Sequence, residues 1–252
     1  MKGPKGPAAS PLHADPSLPK PHLLSEQAER LSPARSRMFR RIGIAHRRSI
    51  LDLGAGYGSV SGELMRRSTG WAAAFDRSYK SLCEVSDSSR LFRIVGDAPR
   101  LPFAKASFDL VFCQVGLLWM KPLSKVIAEI CRVLQKGGVF LSIEPDYDSM
   151  IEYPAEVSTQ ELWIKTLLRA GGDPHAGRKA PAILESLGFT VRVDLTQRIH
   201  PPSPSRFEFL RELPLNRDEM EQLDLIEQRS KQLSGWSQII HLPFILITAE
   251  KK

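Results

Sequence analysis

Cysteine is scarce, with three in 252 residues. Cys83, Cys113 and Cys131 are odd in number and far apart, which excludes a disulfide scaffold and points to reduced thiols in a reducing, cytoplasmic compartment. Their scatter offers no metal-ligand spacing, so no metal site is expected. Long apolar runs are missing too. The longest, Ile239 to Ala249, is far short of a membrane span and is interrupted by His241 and Pro243. No charged-then-apolar leader opens the chain and no internal repeat is visible, so a cytoplasmic protein without a membrane span is expected. Large apolar residues are nearly absent from Met1 to Pro21. Six prolines (Pro4, Pro7, Pro11, Pro16, Pro19, Pro21) stand there with nothing to offset ordering entropy, so residues 1–21 read as a disordered tail, dispensable for ligand binding.

What is present is positive charge and enough apolar residues for a core. Lys and Arg outnumber Asp and Glu by 35 to 28, a net charge of +7, and 42% of the chain is hydrophobic. That supports one large α/β domain plus appendages rather than two full domains. Much of the positive excess (Arg30, Arg35, Arg37, Arg40, Arg41, Arg47, Arg48) precedes the first predicted strand, in a basic helical segment over residues 22–48. Ser32 can cap a helix that begins at Pro33. A solvated helix face is the simpler reading of these arginines, and an anion site or a protein-docking surface is the alternative.

The stretch Ser49 to Val60 reads Ser-Ile-Leu-Asp-Leu-Gly-Ala-Gly-Tyr-Gly-Ser-Val. An apolar run carrying one acid, Asp52, enters glycines at 54, 56 and 58, and helical spacing follows, the pattern of a buried strand, a tight turn and a helix N-terminus. Such a turn needs unusual φ/ψ, and a ligand lying on bare backbone leaves no room for Cβ atoms. Ser59 stands where a dinucleotide fingerprint wants its third glycine, which weakens a nicotinamide reading. Trp71 to Phe75 reads as a second strand ending on Asp76, about twenty residues on, the place of a ribose-binding carboxylate.

With Gly96-Asp97-Ala98, Leu101-Pro102-Phe103, Phe108-Asp109-Leu110-Val111-Phe112 and Lys136-Gly137-Gly138-Val139-Phe140, these motifs resemble those of the class I S-adenosylmethionine (SAM) dependent methyltransferases. The resemblance spans Ser49 to Glu144 and is closest to the small-molecule branch that includes the ubiquinone and menaquinone biosynthesis enzymes. It implies an α/β, doubly wound, mostly parallel seven-stranded Rossmann-like sheet over residues 49–252, with helical insertions near 154–171 and 205–235, the latter a lid. It implies SAM as cofactor and methyl transfer to a small-molecule acceptor. Asp52 and the loop Gly54, Ala55, Gly56, Tyr57, Gly58 would hold the amino-acid portion, and Asp76 with Arg77 the ribose. Asp97 and Ala98 would meet the adenine, and Gln114 the methionine end. For Asp76 the competing role is a helix N-cap, and for Asp97 an ordinary turn acid.

Related proteins often show Ala-Leu-His-Trp beyond the fourth strand, whereas this chain has Gly116-Leu117-Leu118-Trp119. Without that histidine, a base at this position is in doubt and an acceptor with an apolar face gains weight. No residue is assigned as catalytic, because a sulfonium is already an activated donor and alignment alone can supply roughly 7 to 11 kcal/mol. Were a base needed, the candidates are Glu144, Asp146, Tyr147 and His175. Gly171 to Lys179 is too rich in turn residues for a helix and reads as a substrate loop, giving Tyr147, His175 and Arg178 as substrate-binding residues, with Arg178 free to pair a carboxylate or phosphate. A nucleic-acid methyltransferase is the rival, supported only by the basic charge. The chain lacks an Asn-Pro-Pro-Tyr type of loop, and no proline precedes Cys113. A SAM-binding accessory protein without turnover is the other alternative.

Overall fold

The computed structural model describes residues 18–196, 199 and 202–252. The tail expected over residues 1–21 therefore lies outside the described residues as far as residue 17. In chain order, α1 (Pro21–Arg41) precedes β1 (Ser49–Leu53), α2 (Ser61–Arg67), β2 (Trp71–Asp76), α3 (Tyr79–Cys83), β3 (Leu91–Val95) and β4 (Phe108–Gln114). Then come α4 (Leu123–Val133), β5 (Leu134–Pro145), β6 (Ile151–Tyr153), α5 (Gln160–Arg169), α6 (Ala176–Ser186) and β7 (Phe189–Leu195). The last elements are α7 (Ser205–Arg211), α8 (Arg217–Gln232), β8 (Ile239–His241) and β9 (Phe244–Lys251).

Seven strands form one sheet in the order β3-β2-β1-β4-β5-β9-β7, parallel from β3 through β5, with β9 antiparallel to both β5 and β7. Strand order reverses between β1 and β4, and the crevice at the carboxyl ends of those strands is where doubly wound sheets take ligands. Central strands are buried on both faces, so alternate residues enter different cores. Leu51, Leu53, Val111 and Cys113 pack with α4 and α6, whereas Ile50, Leu110 and Phe112 pack with α1 and α2. Helix α4 turns Val126, Ile127, Ile130 and Val133 inward, the spacing that marks it in the sequence. Cys113 is buried, Cys131 half-buried at the edge of that stripe, and Cys83 exposed, all as free thiols.

The structure departs from the expected elements in five places. Helix α1 starts at Pro21 and runs through Pro33, which lies inside it, so Ser32 is not a helix cap. Lys136-Gly137-Gly138 is not a helix stop. Leu134 already pairs with Phe108, and the ladder resumes at Leu110 opposite Val139, so the glycines form a bulge in β5. The presumed loop 171–179 ends at His175, and Ala176 to Lys179 are the first turn of α6. The charged stretch 205–234 is two helices, the second begun by a capping box between Asn216 and Glu219. A ribbon of β6 against β8 has no counterpart in the expected elements. Among the described residues no helix is long and apolar enough to cross a membrane, and no group of three or more His, Cys, Asp or Glu could hold a metal.

Candidate functional site

A cavity of about 1000 Å³ opens over the carboxyl ends of β1, β2 and β4. Its near end is built by the turn between β1 and α2. Gly54, Gly56 and Gly58 all have φ between 53° and 77°, the left-handed region that non-glycine residues rarely adopt. Three backbone N–H groups anchor this turn to the end of β2. Gly54 and Ala55 donate to the Phe75 carbonyl at 2.8 and 3.0 Å, and Gly56 donates to Asp76 Oδ2 at 2.9 Å. Asp76 Oδ1 accepts from the Ser78 N–H at 2.9 Å. Its carboxylate thus holds the glycine turn and the start of the next segment while lining the cavity. The N-cap of α3 is Ser78, whose Oγ accepts from Ser81, so the capping role considered for Asp76 belongs to its neighbour.

Asp52 is buried beneath the turn and accepts from Ser61 Oγ at 2.5 Å. Burial is the main cause that pushes its carboxyl up to about 6; the Ser61 bond opposes the shift, the nearby Asp76 charge adds to it and Arg35 opposes it. Tyr57, Arg77, Asp97, Ala98 and Gln114 also line the cavity, so most of the residues assigned to the cofactor meet at one end. Gly58 is the exception. It belongs to the turn, but its own Cα faces Val85, whose Cγ2 a Cβ there would meet at 2.9 Å, and it does not line the cavity.

Arg35 was counted above with the solvated arginines and is instead buried, 3% exposed. Its guanidinium pairs with Glu63 of α2, and Nη1 donates to the Ala28 carbonyl at 3.0 Å and to Gln114 Oε1 at 2.9 Å. It thereby ties α1 across the cavity to the end of β4. The signal was in the sequence. Arg35 stands on the apolar stripe Ala28, Leu31, Met38 at helical spacing, a poor place for a solvated charge. Residues 18–21, assigned to the tail, take part as well: Leu18 and Pro19 line the cavity, and Leu18 lies against Gly56.

The far end of the cavity is apolar. Trp119, Tyr147, Met150, Trp163, Phe209 and Leu242 line it, and the Tyr147 and Trp163 rings lie 5.3 Å apart, tilted by 31°. Of the three residues assigned to the substrate, Tyr147 is here and the other two are not. Arg178 reaches Asp146 with Nε and Nη2 at 2.7 and 3.1 Å and Ser149 with Nη2 at 2.7 Å, so its fork is occupied. His175 Nε2 lies 2.8 Å from Asp148. Both were placed at the acceptor mouth because a loop was expected where α6 begins; the helix carries them against the turn after β5 instead.

The base candidates fare differently from one another. Burial, then the charge of Glu144, pushes the Tyr147 hydroxyl well up, so it stays protonated at neutral pH. Asp146 is held by Arg178. Glu144 is fully buried and does not line the cavity; burial pushes its carboxyl up to about 7. Its Oε1 accepts from Ser142 Oγ at 2.8 Å and from the Leu117 and Gly116 N–H groups at 3.2 and 3.4 Å, and Oε2 has no partner. Glu144 thus props the Gln114 to Leu117 turn from behind. Val115 in that turn has φ 55°, a strained value for a β-branched residue, and it lines the cavity.

A doubly wound sheet with a glycine turn after β1, acids at the ends of β1 and β2 and an acid after β3 defines the class I SAM-dependent methyltransferase fold. Residues 51–142 match the methyltransferase domain family. The chain is similar to the malonyl-[acyl-carrier protein] O-methyltransferase of Methylococcus capsulatus, 40% identical over 35% of this chain and 34% of that protein. It is also similar to the human arginine-hydroxylase NDUFAF5, mitochondrial, 28% identical over 65% of this chain and 48% of that one. Among solved structures, the YcgJ protein of Bacillus subtilis superposes with a TM-score of 0.60 at 17% identity, covering 84% of this chain and 96% of its own. The chain spans between a third and a half of the length of the curated relatives it matches.

Proposed function

We propose that this protein transfers a methyl group from SAM to a small-molecule acceptor with an apolar body. The observation that carries the reading is the continuity of one cavity from the Gly54–Asp76–Asp97 end to the Trp119–Tyr147–Trp163 end. At about 1000 Å³ it stands at the upper limit for a single drug-sized ligand and suits two molecules side by side. The residues at the near end fit SAM. Asp52 is a buried carboxylate raised toward neutrality, which a cationic ligand group would relieve, and Asp76 keeps further acceptor capacity for ribose hydroxyls. When bound, the cofactor supplies an activated methyl group on a cationic sulfur.

The protein's own contribution is alignment. Arg35 and Gln114 fix the roof against the end of β4, Glu144 holds the Gly116 turn, and the aromatic wall orients the acceptor and excludes water. Among the described residues, the carboxylates lining the acceptor end are paired, Glu26 with Ser203, Ser205 and Arg30 and Glu212 with Lys20. The reducing compartment suggested by three free cysteines agrees with a cytoplasmic role. A nucleic-acid acceptor has less support, because four of the seven early arginines, Arg35, Arg41, Arg47 and Arg48, are engaged within the fold. The test is calorimetry with S-adenosylhomocysteine (SAH) and NAD, followed by labelled SAM with a metabolite extract. SAH binding and label transfer into a small molecule are expected; NAD binding without any response to SAH would overturn the reading.

A further inference from the structure

The acceptor end of the cavity holds a cation with incomplete partners. Arg206 lies on the cavity-facing side of α7 with Phe209, and Leu213 continues that side just past the helix, while Phe207 and Leu210 point into the core. Its guanidinium lies over the Phe207 ring, 4.4 Å from the centroid, and Nη2 donates to Ser230 Oγ at 3.2 Å, but Nε and Nη1 are buried without a hydrogen-bond acceptor. No carboxylate lies within 4 Å of it among the described residues, in contrast to Arg35, Arg132, Arg169 and Arg178, each paired with an acid. The acid whose charge it feels is Glu152, and both of that residue's oxygens are occupied by Ser158, Thr159 and Gln160. The other acids lining this end are matched: Glu26 by Ser203, Ser205 and Arg30, and Glu212 by Lys20. Burial pulls the guanidinium down to about 10, so it remains charged at neutral pH.

A buried guanidinium with unmade hydrogen bonds lowers stability, and groups retained at such a cost concentrate where a ligand completes them. We propose that Arg206 anchors an anionic group, a carboxylate or a phosphate, at the far end of an apolar acceptor that lies along Phe209, Trp163 and Tyr147. This makes Arg206 a specificity-determining residue, and the proposal rests on the methyl-transfer reading above. It also moves the anion-binding role from Arg178, whose fork Asp146 occupies, to a side chain with donors to spare.

The test is calorimetry of octanoate, octyl phosphate and 1-octanol against the full chain, with and without SAH, for wild type and Arg206→Met. One of the anions is expected to bind wild type at least about tenfold more tightly than octanol, and the variant is expected to lose that preference. Which anion binds more tightly tells carboxylate from phosphate. Equal binding of all three probes, no binding of either anion, or a preference that survives in Arg206→Met would each overturn the anchor. Melting without ligand gives a second readout: the variant is expected to melt no lower than wild type, and clear destabilisation would make Arg206 a structural residue instead. SAH affinity on the same samples separates the two readings, since absent SAH binding breaks the methyl-transfer reading while the anion preference is still judged by its own probes.

Discussion

On the proposed reading Asp76 serves both the turn and the ligand, because its two oxygens accept from Gly56 and Ser78, each has capacity for a further bond, and the residue lines the cavity. Hydrogen bonds to a charged acceptor contribute roughly 1.5 to 3 kcal/mol each. Asp76→Ala is therefore expected to weaken SAH binding by well over tenfold and to lower melting of the ligand-free protein, and a variant with wild-type SAH affinity in calorimetry would take Asp76 out of the site. Arg35 obeys the logic of buried pairs, in which removing one partner leaves the other short, here with Arg67 at 2.8 Å as the remaining cation beside Glu63. Arg35→Met should destabilise by about 3 kcal/mol in urea unfolding, and Arg35→Met with Glu63→Leu should recover much of that loss. Recovery failing in the double variant would show that the pairing with Glu63 is not what Arg35 contributes. At this scale the sequence was legible where chemistry is local. The glycines, Asp52 and Asp76 sit within one strand-turn-helix-strand unit, which is why their coming together could be read. The stripe on which Arg35 stands signals its burial, but the partners of Arg35, Arg178 and Arg206 were not legible, because what decides an arginine's role is the acid opposite it, and Glu63, Asp146 or the lack of any such acid lies on another element.

Among elements, the seven sheet strands could be read because buried strands are short apolar runs with clear flanks. The ribbon of β6 and β8 could not, since each strand is three residues long and pairs with a segment remote in sequence. Its position matters for function, because Ile240, His241 and Leu242 close one wall of the cavity. The start of α6 was misread for a related reason: Asp173, Pro174 and two glycines mask a helix that begins only at Ala176. The pairing of α1 with α7 is where sequence and structure differ most usefully. Helix α1 is joined to α7 by Lys20 and His22 reaching Glu208, and by Glu26 accepting from Ser203 and Ser205. Leu18 closes over Gly56 from the same side. A chain lacking residues 2–17 should keep wild-type SAH affinity, whereas one lacking residues 2–21 should bind several-fold more weakly, as Leu18 and Pro19 leave the cavity wall and Lys20 leaves Glu208 and Glu212. Equal calorimetric affinity for the two truncations would show that residues 18–21 do not contribute to cofactor binding.

Across the whole molecule, two sets of carboxyls pull stability in opposite directions with pH. Glu219, Glu129, Glu227 and Asp194 are held below their usual range, in each case chiefly by a side-chain bond to Arg169, Arg132, Lys231 and Arg192 respectively. A group lowered on folding stabilises above its unfolded value, so this set is lost as pH falls below about 4, making the acid limb of the profile. Asp52 and Glu144 are raised by burial, to about 6 and about 7. Between their unfolded and folded values the folded state holds more protons than the unfolded one, so stability falls as pH rises from about 4 to 7. Each raised group accounts for roughly 3 kcal/mol on the linkage relation, an upper figure because water reaching either carboxyl would reduce it. The ligand-free protein should accordingly melt higher near pH 5 than near pH 8. Glu144→Gln removes one titrating group while keeping an acceptor for Ser142 and Leu117, and any fixed cost of its unpartnered amide is the same at every pH. The slope between pH 5 and pH 8, rather than the height of the curve, is therefore the readout. Melting profiles of wild type and Glu144→Gln are expected to differ in that slope, with the remaining fall due to Asp52. Parallel profiles would mean that Glu144 ionises as an ordinary carboxyl and that the Gly116 turn is held by a charged group at neutral pH.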